Sequence, residues 1–248
     1  MYAVVFSLLT NYVGAQVTEK QALTSLFVEA NESYKNRLHS GFSEKALNQY
    51  EKLLQKDPNH VEALWRASRT SWWIGQHLES KRDKASSYFN GIEFAKRAVT
   101  IDPNSAASHF SLAGNYGSYG ETKGIFKSLK LLKPMQRALE EVIRIDPHFE
   151  EGSAYRVQGI IDYKVPGILG GNKKRAEKLL LQAYNYNNHN PYHLYYLGEY
   201  YLEMRNYSES KQYLNKLLGL TKKDLSNVVD EADLVYMQEQ AQVLLKKM

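Results

Sequence analysis

An arginine among tryptophans is the group of residues in this sequence best suited to binding chemistry. The segment from Val61 to Gly75 contains all three tryptophans of the chain. On a helix, Trp65, Arg69 and Trp72 are four and three residues apart and therefore share one face. A guanidinium stacked between indole rings could bind a carboxylate or another anionic ligand edge. The alternative is a helix interface in which arginine stems lie over the rings, because aromatic stripes at helical spacing usually belong to a core.

Further aromatic residues extend this candidate binding surface along the chain. Tyrosine occurs 19 times, and its ring can pack against neighbours while its hydroxyl stays on the wet side of a groove. A second arginine follows a tyrosine directly, at Tyr155-Arg156. We expect ligand or partner binding to involve these residues: Trp65, Arg69, Trp72, Tyr116, Tyr119, Tyr155, Arg156 and Tyr163.

Sequence patterns for catalysis are missing. The chain has no cysteine and no Gly-x-Ser-x-Gly nucleophile elbow. His189 and His193 are four residues apart, but Pro191 lies between them and would spoil the helix that aims both at one metal ion. We therefore predict a chain that is not an enzyme, with no catalytic residue, no cofactor and no metal site.

Three Asp-Pro dipeptides divide the chain into helical segments. Asp57-Pro58, Asp102-Pro103 and Asp146-Pro147 each follow an amphipathic run, and they lie about 45 residues apart. Because proline drives the preceding residue out of the helical region, a helix should end at each of them. The arrangement resembles the tetratricopeptide repeat, whose period is about 34 residues, so longer helices or loops must account for the excess. The resemblance implies an all-α solenoid of tetratricopeptide-like hairpins, and residues 222–248 predict a C-terminal capping helix.

The stretch from Gly171 to Leu218 is the clearest repeat unit. Its small residues Gly198 and Ser210 would let neighbouring helices approach closely, while Leu214 fills the space between them. Between residues 114 and 134, in contrast, four glycines predict a broken or loosened helix. Glycines next to tyrosines in that segment also suggest that the backbone closely approaches another helix or a ligand.

A second resemblance extends from Ala46 to Leu218 and rests on these residues: Tyr155-Arg156, Gly159, Pro166-Gly167, Gly170-Gly171, Trp65-Arg66-Ala67 and the helix end from Ala98 to Pro103. In this combination the chain resembles the T-component family of TRAP transporters. It implies a periplasmic helical-repeat protein that associates with the substrate-binding subunit of a TRAP-type transporter. It also implies a cleft for small hydrophobic ligands. Members of that family are often lipid-anchored, and this chain lacks the cysteine that would carry the anchor.

Charge and the first residues narrow the choice of partner and compartment. The net charge of +5 arises from 32 basic and 27 acidic residues in mixed order, which disfavours nucleic-acid binding. Residues 1–15 are apolar and end in small residues before Gln16, which is typical of a secretion signal, although a merely apolar first helix is the alternative. This run is too short to span a membrane. We therefore expect a signal peptide at 1–15, a single helical-repeat domain at 16–248, and a periplasmic or secreted protein.

Stacked helical hairpins offer a concave surface on which other molecules can bind. We expect an exported, non-enzymatic scaffold that binds a protein or peptide partner there. The alternative is a carrier whose aromatic-lined cavity holds a small hydrophobic or anionic ligand. Self-association is compatible with both functions.

Overall fold

The structure, a computed structural model, describes residues 20–248, and this part of the chain is entirely helical and loop. Helix α1 covers residues 20–35 of the described chain. The remaining α-helices are α2 (Phe42–Lys56), α3 (Val61–His77), α4 (Lys81–Ile101), α5 (Ala106–Lys123), α6 (Ile125–Ile145), α7 (Ser153–Lys164), α8 (Lys173–Tyr186), α9 (Pro191–Glu203), α10 (Tyr207–Leu218) and α11 (Glu231–Leu245). Two 3-10 helices, Gly167–Leu169 and Lys222–Asp224, lie in the connections.

The described helices form five consecutive antiparallel hairpins, α1/α2 to α9/α10, followed by α11. Each hairpin packs on the next, and buried leucines and alanines run through the stack as a series of adjoining clusters. The first helices of neighbouring hairpins also contact each other, as α3 does with α5 and α7 with α9. The predicted all-α solenoid of tetratricopeptide-like hairpins with a C-terminal capping helix is confirmed.

The predicted Asp-Pro helix ends are also confirmed. Helices α2, α4 and α6 end directly before Asp57, Asp102 and Asp146. Each carboxylate accepts a hydrogen bond from the backbone N–H two residues later, over 3.3, 3.0 and 2.9 Å respectively. Asn187 makes the same turn after α8, with 2.9 Å to the N–H of His189. A fourth hairpin boundary therefore follows the same geometry without an Asp-Pro dipeptide, because an asparagine side chain closes this turn equally well.

Small residues let α9 and α10 pack closely, as the sequence predicts. The Ser210 hydroxyl donates a hydrogen bond of 2.7 Å to the Gly198 carbonyl oxygen across the two helices. A methyl group added to Gly198 would lie 2.5 Å from Leu214 Cδ2. Glycine at this position is therefore needed for the helix pair to close.

The glycine-rich segment 114–134 is interrupted only once, so the prediction of a loosened helix is wrong for most of it. Helix α5 continues through Gly117 and Gly120 and ends only before Gly124, whose φ of +93° favours glycine. A methyl group added to Gly120 would lie 3.0 Å from the Ser128 Cα of α6. Gly120 thus serves a close helix contact, which was the other expectation for this segment.

Helix α11 caps the array and also returns to its beginning. It packs on α9 and α10, while the Tyr236 ring centroid lies 5.5 Å from that of Trp73 on α3. The Tyr236 hydroxyl donates to Gln76 Oε1 over 3.2 Å. The solenoid is therefore coiled tightly enough that its last helix touches its second hairpin.

Candidate functional site: a cavity along the inner face of the solenoid

The first helices of the five hairpins surround one large cavity. Its volume is about 1340 Å³, and α1, α3, α5, α7 and α9 contribute most of its wall. Residues 222–233, which lead into α11, complete the wall by lying against the beginning of the array. The cavity therefore depends on the return of the C-terminal segment.

Five of the eight residues that the sequence predicts for binding line this cavity: Trp65, Arg69, Trp72, Tyr116 and Arg156. They come from α3, α5 and α7, so the structure brings residues from three hairpins to one continuous space. Whether these residues bind a ligand or a partner stays a prediction.

The other three predicted residues lie outside the cavity wall. Tyr119 turns towards α4, with its ring centroid 5.9 Å from that of Phe89. Tyr155 stacks on Tyr186 at 6.1 Å between ring centroids. Tyr163 is buried, and its hydroxyl donates to the Glu199 carboxylate. These three tyrosines hold neighbouring helices together.

The tryptophan face of α3 is present, but its arginine is already paired. The Arg69 guanidinium lies 5.1 Å from the centroid of the Trp65 ring. It forms an ion pair with Glu150, which lies just before α7. Trp72 instead donates its indole N–H to Ser118 Oγ over 2.9 Å. Arg69 therefore does not sit between two indoles, since its charge holds α3 to the α6–α7 connection.

An arginine between two aromatic rings does occur, at Arg37. Its guanidinium lies 4.3 Å from the Tyr34 ring centroid and 4.4 Å from the Trp73 ring centroid. It donates to both carboxylate oxygens of Asp230, over 2.5 and 2.7 Å, and to Asp233 over 2.8 Å. Sequence analysis missed this group because its partners are separated by 193 and 196 residues. The Asp-x-x-Asp spacing at the start of α11 was the available signal, but it indicates only a helix cap.

The two aspartates have two roles: they cap α11, and they bind Arg37, so that the C-terminal segment is held against the first hairpin. Asp230 and Asp233 form a reciprocal capping box at the N-terminus of α11. Asp233 also accepts a hydrogen bond of 2.8 Å from the Tyr192 hydroxyl of α9. Burial raises the pKa of the Asp233 carboxyl, and the Arg37 guanidinium opposes that shift. The closing segment is thus held by the largely buried charges of Arg37 and Asp233 together with the partly exposed Asp230.

Arg156 is a buried cation of the cavity that has no carboxylate partner among the described residues. Only 6% of Arg156 is exposed, and its guanidinium lies 4.9 Å from the Tyr192 ring centroid. Its Nη1 is 3.4 Å from His193 Nδ1, and its Nε has no hydrogen-bond partner in this part of the chain. Burial lowers the pKa of Arg156. A bound group with an acceptor oxygen would relieve both deficits.

His193 supports Arg156 in its neutral form. Its Nε2 lies 2.9 Å from the Glu151 carbonyl oxygen, so we assign the proton to Nε2 and leave Nδ1 to accept from Arg156. Burial, and then the neighbouring guanidinium, hold the pKa of His193 well below its ordinary value. The Glu151 backbone adopts a φ of +59°, and its carboxylate accepts from the Asn187 and Asn190 amides over 2.8 and 2.7 Å. These two hydrogen bonds stabilise a turn that most side chains disfavour.

One wall of the cavity is apolar. It consists of side chains from α5, α6 and α7, most of them half-buried: Phe110, Leu129, Leu132, Met135, Val157, Ile160 and Ile161. The cavity therefore joins an apolar wall to a wall that carries arginines and tryptophans. Such a surface suits binding of an amphipathic molecule or chain segment.

The described residues contain neither a candidate metal site nor a candidate membrane-spanning helix. Between residues 20 and 248, no group of three or more His, Asp or Glu side chains could hold a metal ion. Over the same range, no helix combines the length and hydropathy that crossing a bilayer requires.

The fold and the cavity define the class of protein, a tetratricopeptide-type helical scaffold. Residues 194–224 match the tetratricopeptide repeat. Residues 27–182 match the family described as Regulator of microtubule dynamics protein 1-3, and the chain belongs to that family. The comparisons do not confirm the predicted resemblance to the TRAP T-component family. Gly159, one of the residues that carried it, lies against Leu180 of α8, so it indicates close helix packing and is not specific to one family.

One relative of known sequence bears on the family, and two solved structures bear on the fold. Regulator of microtubule dynamics protein 1 of Bos taurus is 29% identical over 128 residues, which are 51% of this chain and 39% of that protein. The chain therefore matches less than half the length of this relative. A thermophilic tetratricopeptide-repeat protein of Thermus thermophilus has a TM-score of 0.67 at 20% identity, with 89% of this chain and 99% of the other covered. PilW, a type IV pilus biogenesis factor, has a TM-score of 0.58 at 15% identity, with 92% and 93% covered. The two structures are similar in fold alone.

Proposed function

We propose that the chain is a non-enzymatic scaffold that holds a segment of a protein partner in the cavity of the solenoid. The observation that carries this proposal is the cavity itself, a continuous space of about 1340 Å³ bordered by the first helix of every described hairpin. Sites for small molecules usually measure about 300 to 1,000 Å³. The larger volume favours a chain segment.

The residue types on the wall favour a protein partner as well. Tryptophan, tyrosine and arginine dominate the binding free energy of protein interfaces, and they cluster near the centre of such interfaces. Trp65, Trp72 and Tyr196 are half-buried on this wall and keep contact area available to a partner. We expect an acceptor group of the partner, such as a carboxylate or a carbonyl oxygen, to bind Arg156.

A carrier for a small hydrophobic or anionic ligand is the second candidate. The apolar wall from α5, α6 and α7 together with Arg156 supports it, because these two features match the two ends of an amphiphile. Native mass spectrometry of the purified chain tests this candidate. A bound small molecule at one copy per chain would favour it, and a bare chain would contradict it.

The identity of the partner is a finer proposal. The name of the bovine relative makes a microtubule, or a protein bound to one, a partner to test by cosedimentation. Export directed by residues 1–15 and association with the substrate-binding subunit of a TRAP-type transporter stay predictions from sequence, and residues 1–15 lie outside the described residues. Determining the N-terminus of the mature protein in its native cell tests export: loss of residues 1–15 would favour it, and their retention would contradict it.

Copurification from the native cell tests the scaffold function. The tagged chain should retain a protein partner in stoichiometric amount, and Trp72→Ala should lose it because Trp72 lines the cavity. Tyr207→Ala is a matched control, since Tyr207 is exposed on α10 outside the cavity wall. Equal retention by both variants, with unchanged circular dichroism, would contradict the proposal.

A further inference from the structure

The beginning of α6 exposes large apolar side chains to solvent. Phe126 is 82% exposed and Ile125 is 59% exposed. Ile125 contributes to the rim of the cavity, whereas Phe126 lies outside its wall. An aromatic side chain this exposed loses hydrophobic stabilisation that a binding surface could recover.

A second apolar tip follows α7. In the connection Pro166–Gly170, Ile168 is 95% exposed and Leu169 is 42% exposed. Val165, directly before this connection, and Leu132 of α6 pack against the same buried cluster. Helix α7 contacts α6, and Pro166 of the connection borders the same cavity as Ile125 and Leu129 of α6.

Lysines surround the two tips, and acidic residues are missing from both segments. Residues 122–139 contain no Asp or Glu but include Lys123, Lys127, Lys130, Lys133 and Arg137. Residues 163–176 also contain no acid and include Lys164, Lys173, Lys174 and Arg175. Lys164 and Arg175 pair with Glu199 and Asp162, which leaves Lys173 and Lys174 exposed near the second tip. The net charge of this surface is therefore strongly positive although that of the chain is only +5.

The spacing on α6 places charge and apolar side chain on one face. Phe126, Lys130 and Lys133 are four and three residues apart, so they project in the same direction. A lysine beside an inserted apolar residue keeps its ammonium group at the level of the lipid headgroups, because its long side chain can extend towards water. The surface formed by the start of α6 and the 166–170 connection has both parts, and we call it the basic tip surface.

We propose that the basic tip surface docks the protein on an anionic membrane surface, with Phe126 and Ile168 inserted among the headgroups. Two observations favour a membrane over an acidic protein. The cations are mostly lysines, which are depleted in protein interfaces but bind anionic lipid headgroups without a fixed geometry. Phe126 and Ile168 protrude and are not set in a groove with a defined shape, which suits a fluid surface. This docking is independent of what the cavity binds.

Vesicle sedimentation tests the proposal with the full chain. The unaltered chain should sediment with phosphatidylcholine vesicles that contain phosphatidylserine, and not with pure phosphatidylcholine vesicles. The double variant Lys130→Glu, Lys133→Glu should reduce the partition coefficient by about 30-fold or more, because each lysine near an anionic membrane adds its own contribution to the binding free energy. Ile168→Ser should reduce it by about tenfold, through the lost burial of one large apolar side chain.

Matched controls separate docking from general charge and from misfolding. Lys52→Glu with Lys56→Glu on α2 makes the same change in net charge at exposed positions, and should leave binding within about twofold of the unaltered chain. Val243→Ser on α11 removes an exposed apolar side chain elsewhere and should also leave binding within about twofold. Ile168 lies in an exposed connection, so its variant should melt at an unchanged temperature.

Two outcomes would overturn the proposal. The first is an equal loss of vesicle binding in the α2 control. The second is failure of the unaltered chain to bind phosphatidylserine vesicles, a result that would favour an acidic protein as the partner of this surface.

Discussion

Removing Arg37 should open the closed solenoid. Its side chain is 1% exposed and pairs with Asp233, which is 16% exposed, and with Asp230, which is 42% exposed. Loss of one member of a buried ion pair costs about 3 to 5 kcal/mol, because the other charge remains buried without a partner. Since water partly screens Asp230, we expect the lower end, about 3 kcal/mol, for Arg37→Met, which keeps apolar contact with the neighbouring rings.

A double-mutant cycle isolates this contact. Arg37→Met and Asp233→Asn, alone and together, should give a coupling free energy of about 2 kcal/mol or more in equilibrium urea unfolding. The exposed pair Arg144–Glu141 on α6 serves as the control, with Arg144 56% exposed and the N–O distance at 2.8 Å. Its cycle, Arg144→Met with Glu141→Gln, should give less than about 1 kcal/mol. Equal coupling free energies in the two cycles would refute the assignment of the closure to Arg37.

Two further predictions concern single residues. Burial, and then Arg156, lower the pKa of His193. Below the ordinary histidine pKa of about 6.5, the unfolded chain therefore binds a proton that the folded chain does not. The free energy of unfolding should fall by up to about 1.4 kcal/mol for each unit by which the pH is lowered. Urea unfolding between pH 7 and pH 5.5 should show a smaller slope for His193→Gln, and an unchanged slope would contradict this. Gly198→Ala should destabilise by about 1 to 3 kcal/mol through its clash with Leu214, whereas Gly114→Ala, with no atom within 4 Å, should stabilise by about 0.5 to 1 kcal/mol. Thermal melts of the two variants test this prediction. Melting temperatures that shift in the same direction would contradict the close packing of α9 on α10.

Local sequence rules were sufficient for the hairpins and failed at long-range contacts. The Asp-Pro helix ends and the small pair Gly198 and Ser210 follow from backbone geometry, and they were predicted correctly. The continuous α5 was missed because the contact of Gly120 with α6 outweighs the low helix propensity of glycine. The Arg37 closure could not be predicted, since no local pattern connects residues so far apart in sequence.

For the binding site, sequence periodicity identified residues on the same helix face but not which of them face the cavity. Trp65, Trp72 and Arg156 were predicted for binding, and the structure places them on the cavity wall. Tyr155 and Tyr163 were predicted with them, but their rings pack between helices. A helical pattern tells which residues share a stripe, whereas the coiling of the solenoid decides which stripe faces inward.

Site-specific photocrosslinking tests the central claim, that the cavity holds a protein partner. Phe110 lines the cavity and Phe89 is 47% exposed outside it, so a photoreactive phenylalanine at each position compares the two surfaces with the same chemistry. In the native cell, we predict one defined protein adduct from position 110 that Trp72→Ala abolishes, and no such adduct from position 89. The same adduct from both positions, or none from position 110, would contradict a binding function of the cavity.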